Sequence, residues 1–233
     1  GSYALHLNLQ RLDFGNDSLI FTSATGNASD VVWTADSTYG EIIRMEKVHN
    51  LCFRNLTFLL DSLHPQAGSV LLLNGNCRNI RVEACRFLLY TTDAQGITSA
   101  DRKGCSNVDI LDNTFTEGRF GVLIWGNITH DYRAFRVEGN LFDRQSYCGL
   151  YLMALDFSRI GENTFLSSRT PTQTNRSYTG LELYGCYGRS VEQNRFRMYS
   201  GKYAMELGIV LPDSSRYVDI VNNEIYFHCT HAQ

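Results

Sequence analysis

The chain has 233 residues, with 24 acidic and 21 basic side chains and a formal net charge of -3. This near balance excludes a broad polycationic surface, so we expect no nucleic-acid partner. No apolar run reaches the roughly 18 residues that are needed to cross a bilayer, so we expect no membrane span. The length suits one domain with a large buried core.

The first 49 residues are the least regular part of the chain. Runs of apolar and alternating residues predict short strands at 3–9, 19–21, 31–33 and 42–45, which we interpret as the first one or two coils of a repeated structure. Gly1 and Ser2 look like a remnant of cloning. We expect residues 3–233 to form one domain and to be a piece of a longer chain, because solenoids need polar caps and neither end shows one.

From residue 51 onward the chain repeats one phrase that ends in Asn-x-Phe or a close variant. The apolar residues that close successive copies are Phe58, Phe87, Phe115, Phe142, Phe165, Phe196 and Ile225. Upstream of each, apolar and polar residues alternate, which predicts a strand with one buried face. The Asn or Gly-Asn near the end of the phrase suits a tight bend, because Asn and Gly tolerate left-handed backbone geometry.

Each repeat contains a further strand that usually follows a glycine. Examples are residues 121–125, 149–153 and 180–184. Each repeat therefore holds three short strands and shows no helical periodicity. Three strands in roughly 28 residues fit one coil of a β-solenoid, whereas a propeller blade needs a repeat of about 40 or more. We predict an all-β fold of about seven to nine stacked coils.

The phrase Asn-Ile-x-Ile-x-x-Asn-x-Phe, followed by Gly-Ile-x-Leu, resembles the right-handed parallel β-helix of the pectate-lyase-like superfamily. The matching stretches are 79–87, 107–115 and 217–225, with looser copies between them. This resemblance covers nearly the whole chain and implies a single-stranded solenoid in which a bend asparagine repeats as an inward ladder. The positions that match the ladder are Asn113, Asn140, Asn163, Asn194 and Asn223.

Four of the seven cysteines follow the register of the repeat. Cys77, Cys105 and Cys186 each lie ten residues before a closing Phe, and Cys85 occupies a ladder position. In such interior positions a free thiol acts as a small hydrophobic side chain, and the alternative is a disulfide between Cys77 and Cys105 on neighbouring coils. No Cys-x-x-Cys pair and no His/Cys cluster has metal-ligand spacing. We therefore predict no metal site and no cofactor.

Candidate binding residues lie on the glycine-led strands, because alternate side chains of a half-buried strand point outward. If these alternate residues point outward, the outer face carries an aromatic stripe of Trp125, Tyr151 and Tyr184. Flat aromatic faces can stack on sugar rings, so the stripe suggests a binding surface for a polysaccharide. The long connection 166–179 should overhang this surface. Three nearby cations could hold the carboxylates of an acidic polysaccharide: Arg169, Arg176 and Lys202.

The same register sets Glu182 beside Glu206 on the next coil, which would make them candidate catalytic residues. Two carboxylates about 5 Å apart have the separation used by retaining glycosidases. Their mutual repulsion would raise one pKa and leave an acid beside a base. The alternative is that these acidic and aromatic side chains are the ordinary solvated face of a sheet.

No catalytic residue transfers by motif. The paired Asp-Asp and Gly-His-Gly of polygalacturonase-like members and the Arg-x-Pro-x-x-Arg of calcium-dependent pectate lyases do not occur in the sequence. The leading hypothesis is an extracellular or cell-surface module that binds a polysaccharide and, in its enzymatic form, cleaves it by lyase or glycosidase chemistry. The alternative is a non-catalytic stalk, adhesin or phage-fibre segment that contacts neighbouring coils or domains of a longer chain.

Overall fold

The computed structural model describes residues 1–36, 38–61, 68–99, 105–126, 135–167, 178–200, 206–212 and 215–229. Within these residues the only helix is a single 3-10 turn at Ala28–Asp30, and the remaining elements are short strands. The strands, in chain order, are β1 (Ser2–Leu5), β2 (Leu7–Gln10), β3 (Leu19–Thr22), β4 (Val32–Ala35), β5 (Glu41–Glu46), β6 (His49–Arg54), β7 (Thr57–Leu60), β8 (Ser69–Asn74), β9 (Cys77–Glu83), β10 (Arg86–Leu89), β11 (Gln95–Ser99), β12 (Cys105–Leu111), β13 (Thr114–Glu117), β14 (Phe120–Trp125), β15 (Phe135–Glu138), β16 (Leu141–Asp143), β17 (Cys148–Met153), β18 (Asp156–Gly161), β19 (Thr164–Leu166), β20 (Tyr178–Tyr184), β21 (Tyr187–Glu192), β22 (Arg195–Ser200), β23 (Glu206–Val210), β24 (Asp219–Val221) and β25 (Glu224–Cys229).

Every third strand belongs to the same sheet. Sheet A runs from β1 through β4 and β7 to β25, sheet B from β2 through β5 to β23, and sheet C from β3 through β6 to β24. All pairings between described strands are parallel, and each strand pairs with its equivalents one coil before and one coil after. This is a right-handed parallel β-helix, so the predicted fold is confirmed. The predicted N-terminal strands are present as well, with the first one divided at His6 into β1 and β2.

The closing phenylalanines form one continuous stack along the interior. Phe87, Phe115 and Phe142 share a single register position in sheet A, and their neighbours before and after continue the column. From Phe58 to Phe196 the rings are fully buried. Consecutive ring centroids lie 5.1, 4.5, 5.0, 4.8 and 4.7 Å apart. These distances match the strand spacing of about 4.8 Å, so ring stacking and strand pairing reinforce each other.

A column of glycines in sheet B makes room for this stack. A side chain at Gly121 would place its Cβ 2.5 Å from Cδ1 of Phe142 and 2.8 Å from the carbonyl oxygen of Gly149. Gly149 meets Phe165 in the same way, and Gly180 meets Phe196. The glycine that leads each of these strands is therefore required by close packing against the phenylalanine that closes the same coil.

The predicted asparagine ladder is also present. Asn140 donates from Nδ2 to Oδ1 of Asn163 at 2.9 Å, and Asn163 donates in the same way to Asn194 at 3.0 Å. Asn113 and Asn223 extend the chain of amides in both directions. Asn113, Asn140, Asn163 and Asn194 are buried. Such a ladder satisfies buried amide groups that would otherwise be costly to remove from water.

The ladder asparagines do not turn the backbone themselves. The residue before each one is left-handed, with φ of 55° at Asp112, 67° at Gly139, 58° at Glu162 and 56° at Gln193. The predicted Gly and Asn occupy this left-handed position at Gly139 and Asn222, and Asp, Glu and Gln occupy it before the other three ladder residues. The backbone N–H of the ladder Asn that follows is held by the amide oxygen of the next coil, and this bond stabilises the strained position.

Candidate functional site

Two columns of side chains face outward from sheet B. One column contains Leu123, Tyr151 and Glu182, and the other contains Trp125, Met153 and Tyr184. The expected aromatic stripe is therefore a zigzag, because Tyr151 lies in the neighbouring column and Met153 separates the two outer rings. Trp125 is 37% exposed and Tyr184 is 44% exposed, whereas Tyr151 is half-buried.

An aromatic cluster holds one side of this surface in place. The ring centroid of Phe120 lies 5.2 Å from that of Tyr147 and 6.1 Å from that of Tyr151. The guanidinium carbon of Arg119 lies 5.5 Å from the Phe120 ring centroid and 5.7 Å from the Tyr147 centroid. Tyr147 is exposed and extends the aromatic surface beyond the predicted residues. Sequence reasoning missed Arg119 and Tyr147 because both precede the alternating part of their strands.

The expected pairing of Glu182 with Glu206 is wrong. In the register of β20 and β23, Glu182 lies opposite Val210, and Glu206 lies opposite Tyr178. The two positions are four residues apart along the strands, or roughly 13 Å. The physical reason is the glycine column: Gly208 continues it beside Gly180, so the whole of β23 shifts relative to the alignment suggested by sequence. The other predicted contacts, Arg169, Arg176 and Lys202, lie outside the described residues.

Glu182 has an unusual environment for a carboxylate on an outer face. Partial burial raises the pKa of Glu182 above its usual 4.5. Burial, and then the nearby charge of Glu182, raise the pKa of Tyr151 to about 12. Tyr151 therefore remains a neutral hydroxyl that can donate a hydrogen bond across the physiological range of pH.

Replacing Glu182 with Gln should raise the melting temperature at pH 7, by about 1–3 °C. The folded protein holds the Glu182 proton to a higher pH than the unfolded chain does, so stability falls as pH rises from 4.5 through the raised pKa. The neutral amide avoids this loss. Thermal melts at pH 4 and pH 7 would test the expectation, with the pH 4 comparison as the internal control. An equal difference between variant and wild type at both values would contradict it.

A second candidate surface is a groove on the outer face of sheet C, with a volume of about 550 Å³. Arg81, Asp109 and Arg136 line it. Arg136 makes a two-pronged contact with Asp109 at 3.1 and 2.9 Å, and Arg81 contacts Glu83 at 2.9 Å. These charges already neutralise one another along the sheet. The charged side chains of the groove therefore form a ladder of ion pairs between neighbouring coils. Partly exposed ion pairs of this kind each contribute little to the stability of the fold.

The interior also contains thiols. Six cysteines among the described side chains are buried and form no disulfide, which confirms the prediction of interior thiols. Cys77 and Cys105 face each other across β9 and β12. A hydrogen bond with Cys105 lowers the pKa of Cys77, whereas burial raises the pKa of Cys85 to about 12 and that of Cys186 to about 11.

Together these features define a class: a right-handed parallel β-helix whose interior is closed by Phe and Asn columns and whose outer faces carry the candidate binding surfaces. Residues 69–229 match the model of the NosD family, described as periplasmic copper-binding protein (NosD). The chain therefore belongs to the NosD family. Comparison with curated proteins and with solved structures gave no significant match. The described residues include no helix with the length and hydropathy of a membrane span.

Proposed function

We propose that this chain is a module that works outside the cytoplasm and binds a polysaccharide on the outer face of sheet B. The family description as a periplasmic protein supports this location. The observation that carries the proposal is the pair of exposed rings, Trp125 and Tyr184, in one outward column. They lie two coils apart, or roughly 10 Å, so a polymer that runs along the solenoid axis can contact both.

The neighbouring column supplies polar contacts between the two rings. Glu182 can accept hydrogen bonds from sugar hydroxyls, and the hydroxyl of Tyr151, which remains neutral, can donate or accept. Flat amphipathic rings flanked by such groups suit a ligand with alternating apolar faces and polar edges. Arg169, Arg176 and Lys202 are proposed as further contacts if the polymer is acidic.

We propose binding without hydrolysis by a carboxylate pair. Glycosidases place their two carboxyl groups about 5–9.5 Å apart, depending on whether the enzyme retains or inverts configuration. The backbones of Glu182 and Glu206 are separated by four residues along the strands, which removes the reason for pairing them. Glu182 is then a binding residue, and Glu206 has no proposed role in catalysis.

The double variant Trp125→Ala with Tyr184→Ala should weaken retention on the preferred polysaccharide at least about tenfold, because stacking on a ring is worth about 1 kcal/mol or more. Affinity electrophoresis through gels that contain neutral glucans or uronate polymers would measure this change. Tyr90→Ala is a matched control, because Tyr90 is equally exposed but follows a strand of sheet A. Equal retention of both variants would contradict the proposal, and no retention of the wild type on any polymer would favour the structural alternative.

The family description also names copper, and the donor atoms of this chain bear on that point. The described residues contain no group of three or more His, Cys, Asp or Glu side chains that could hold a metal ion. A divalent ion with three or four protein ligands therefore finds no site among them. Copper(I) is softer and prefers thiolate ligands, and in the described interior Cys77 and Cys105 face each other across β9 and β12.

A further inference from the structure

We infer that a pocket on the outer face of sheet C binds one ring of an acidic sugar, a uronate. The pocket has a volume of about 450 Å³ and lies towards the C-terminal end of the sheet. Tyr187 and Tyr217 line it, together with the nearly buried ring of Phe157. This site is separate from the outer face of sheet B, and the inference does not rest on the polysaccharide binding proposed for that face.

The two tyrosine rings suit a flat ligand with an apolar face. Their centroids lie 6.5 Å apart, and their planes are 32° from parallel. Tyr217 is 82% exposed, so its ring is accessible to a sugar. A Cβ at Gly188 would overlap the Phe157 ring, and Phe157 therefore fills that space with apolar surface. An apolar pocket with a few polar groups at its edge is the usual form of a small-molecule site.

The backbone of Tyr217 occupies a position that elsewhere belongs to asparagine. Asn50, Asn79 and Asn107 lie eight residues before the closing Phe of their coils, with φ of 61°, 53° and 53°, and Tyr217 lies eight residues before Ile225 with φ of 60°. The left-handed region tolerates asparagine but is an outlier for a bulky side chain. Residues held in such conformations concentrate at functional sites, and here the strained residue carries the exposed ring.

An irregularity in β18 shapes the polar edge of the pocket. The register between β15 and β18 shifts after Phe135, so Ser158 is an extra residue without a partner in the ladder. Bulges of this kind redirect side chains and are frequent beside functional sites. Ser158 and Asp156 both line the pocket. Hydroxyl and carboxylate oxygens can accept hydrogen bonds from the hydroxyl groups of a sugar.

Arg189 supplies the preference for an acid. Four other arginines of sheet C form ion pairs with carboxylates: Arg54, Arg81, Arg136 and Arg159. Arg189 lines the pocket, is exposed and forms no ion pair within the described part of the chain. It lies two residues, or about 7 Å, along β21 from Tyr187, whereas Asp156 is the register partner of Tyr187. A uronate stacked on Tyr217 can therefore direct its carboxylate to Arg189 and its hydroxyls to Asp156.

Isothermal titration with galacturonate, glucuronate and their neutral counterparts, galactose and glucose, would test the acid preference. The wild type should bind at least one uronate about threefold or more tightly than its neutral counterpart, because the charged contact is partly exposed. Arg189→Gln should abolish this difference. Arg197→Gln is a matched control that should keep it, because Arg197 is an exposed arginine of β22 in sheet A.

Tyr217→Asn removes the ring but keeps the fold, because it introduces the residue that the repeat already carries at positions 50, 79 and 107. It should weaken uronate binding about fivefold, while the melting temperature stays equal or rises. Tyr217→Phe should bind like the wild type, because the stacking face remains. The double variant Trp125→Ala with Tyr184→Ala should also bind like the wild type, since both rings lie on sheet B.

The inference would be overturned by a wild type that binds neither uronate or prefers the neutral sugars, by unchanged affinity of Tyr217→Asn, or by equal losses in Tyr217→Asn and the sheet B double variant. A free sugar acid and the end of a uronate polymer present the same chemistry to the pocket. Tighter binding of a uronate trisaccharide than of the monosaccharide would support the site and assign it to a polymer. Equal binding of the two would support the site and assign it to the free sugar.

Discussion

Phe142→Ala should lower the free energy of unfolding by about 3–5 kcal/mol. The Phe142 ring is fully buried and lies 5.0 Å from the Phe115 ring and 4.8 Å from the Phe165 ring, centroid to centroid. Removing it leaves a cavity between two rings whose positions are fixed by strand pairing above and below. The cavity cannot close by collapse, because the hydrogen bonds of sheet A hold the coils at their spacing.

Urea denaturation followed by circular dichroism would measure the loss, with the slope of the transition checked for constancy. Phe227→Ala is the control, because Phe227 is 56% exposed on the last described strand and should change stability by less than about 0.5 kcal/mol. Equal effects of the two substitutions would show that the buried phenylalanine column stabilises the core no more than an exposed phenylalanine does. A changed slope would indicate that the coils no longer unfold together.

The architecture was predictable from sequence because its signals are local and repeated. An Asn-x-Phe phrase every 23 to 31 residues determines which residues stack on neighbouring coils, even though the connections between the phrases differ in length. The buried column of Asn140, Asn163 and Asn194 follows from that register alone. So does the facing pair of Cys77 and Cys105, since both lie ten residues before a closing Phe.

The candidate site was predicted less well, because it depends on relations between coils that the phrase does not fix. The predicted strand 203–207 turned Glu206 outward, and this parity alone set it beside Glu182. In the structure Gly208 occupies the glycine position instead. A glycine is needed there because the strand packs closely against Ile225, which continues the phenylalanine column. Contacts of Arg119 with Phe120 and Tyr147 join residues with no shared repeat position, and no periodic signal reveals them.

Asn163→Ala should lower the free energy of unfolding by about 2–5 kcal/mol, because buried polar groups left without partners cost about 1–3 kcal/mol each. The amide of Asn163 uses its full capacity. Its oxygen accepts from the backbone N–H of Asn140 at 3.0 Å and from the Asn140 side chain at 2.9 Å. Its nitrogen donates to the carbonyl oxygen of Val137 at 2.9 Å and to Asn194 at 3.0 Å.

The chain provides a matched control for Asn163→Ala in a second amide ladder on its surface. Asn107 donates from its side chain to Asn79 at 2.9 Å, but this bond is exposed to solvent. Asn107→Gly keeps the left-handed backbone, whose φ is 53°, and removes the amide, and water then replaces the lost partner. Its cost in denaturation experiments should be about 1 kcal/mol or less. If Asn163→Ala lowers the free energy of unfolding no more than Asn107→Gly does, burial does not determine how strongly the ladder stabilises the fold. The inner asparagines would then not be the residues that keep the bends in register.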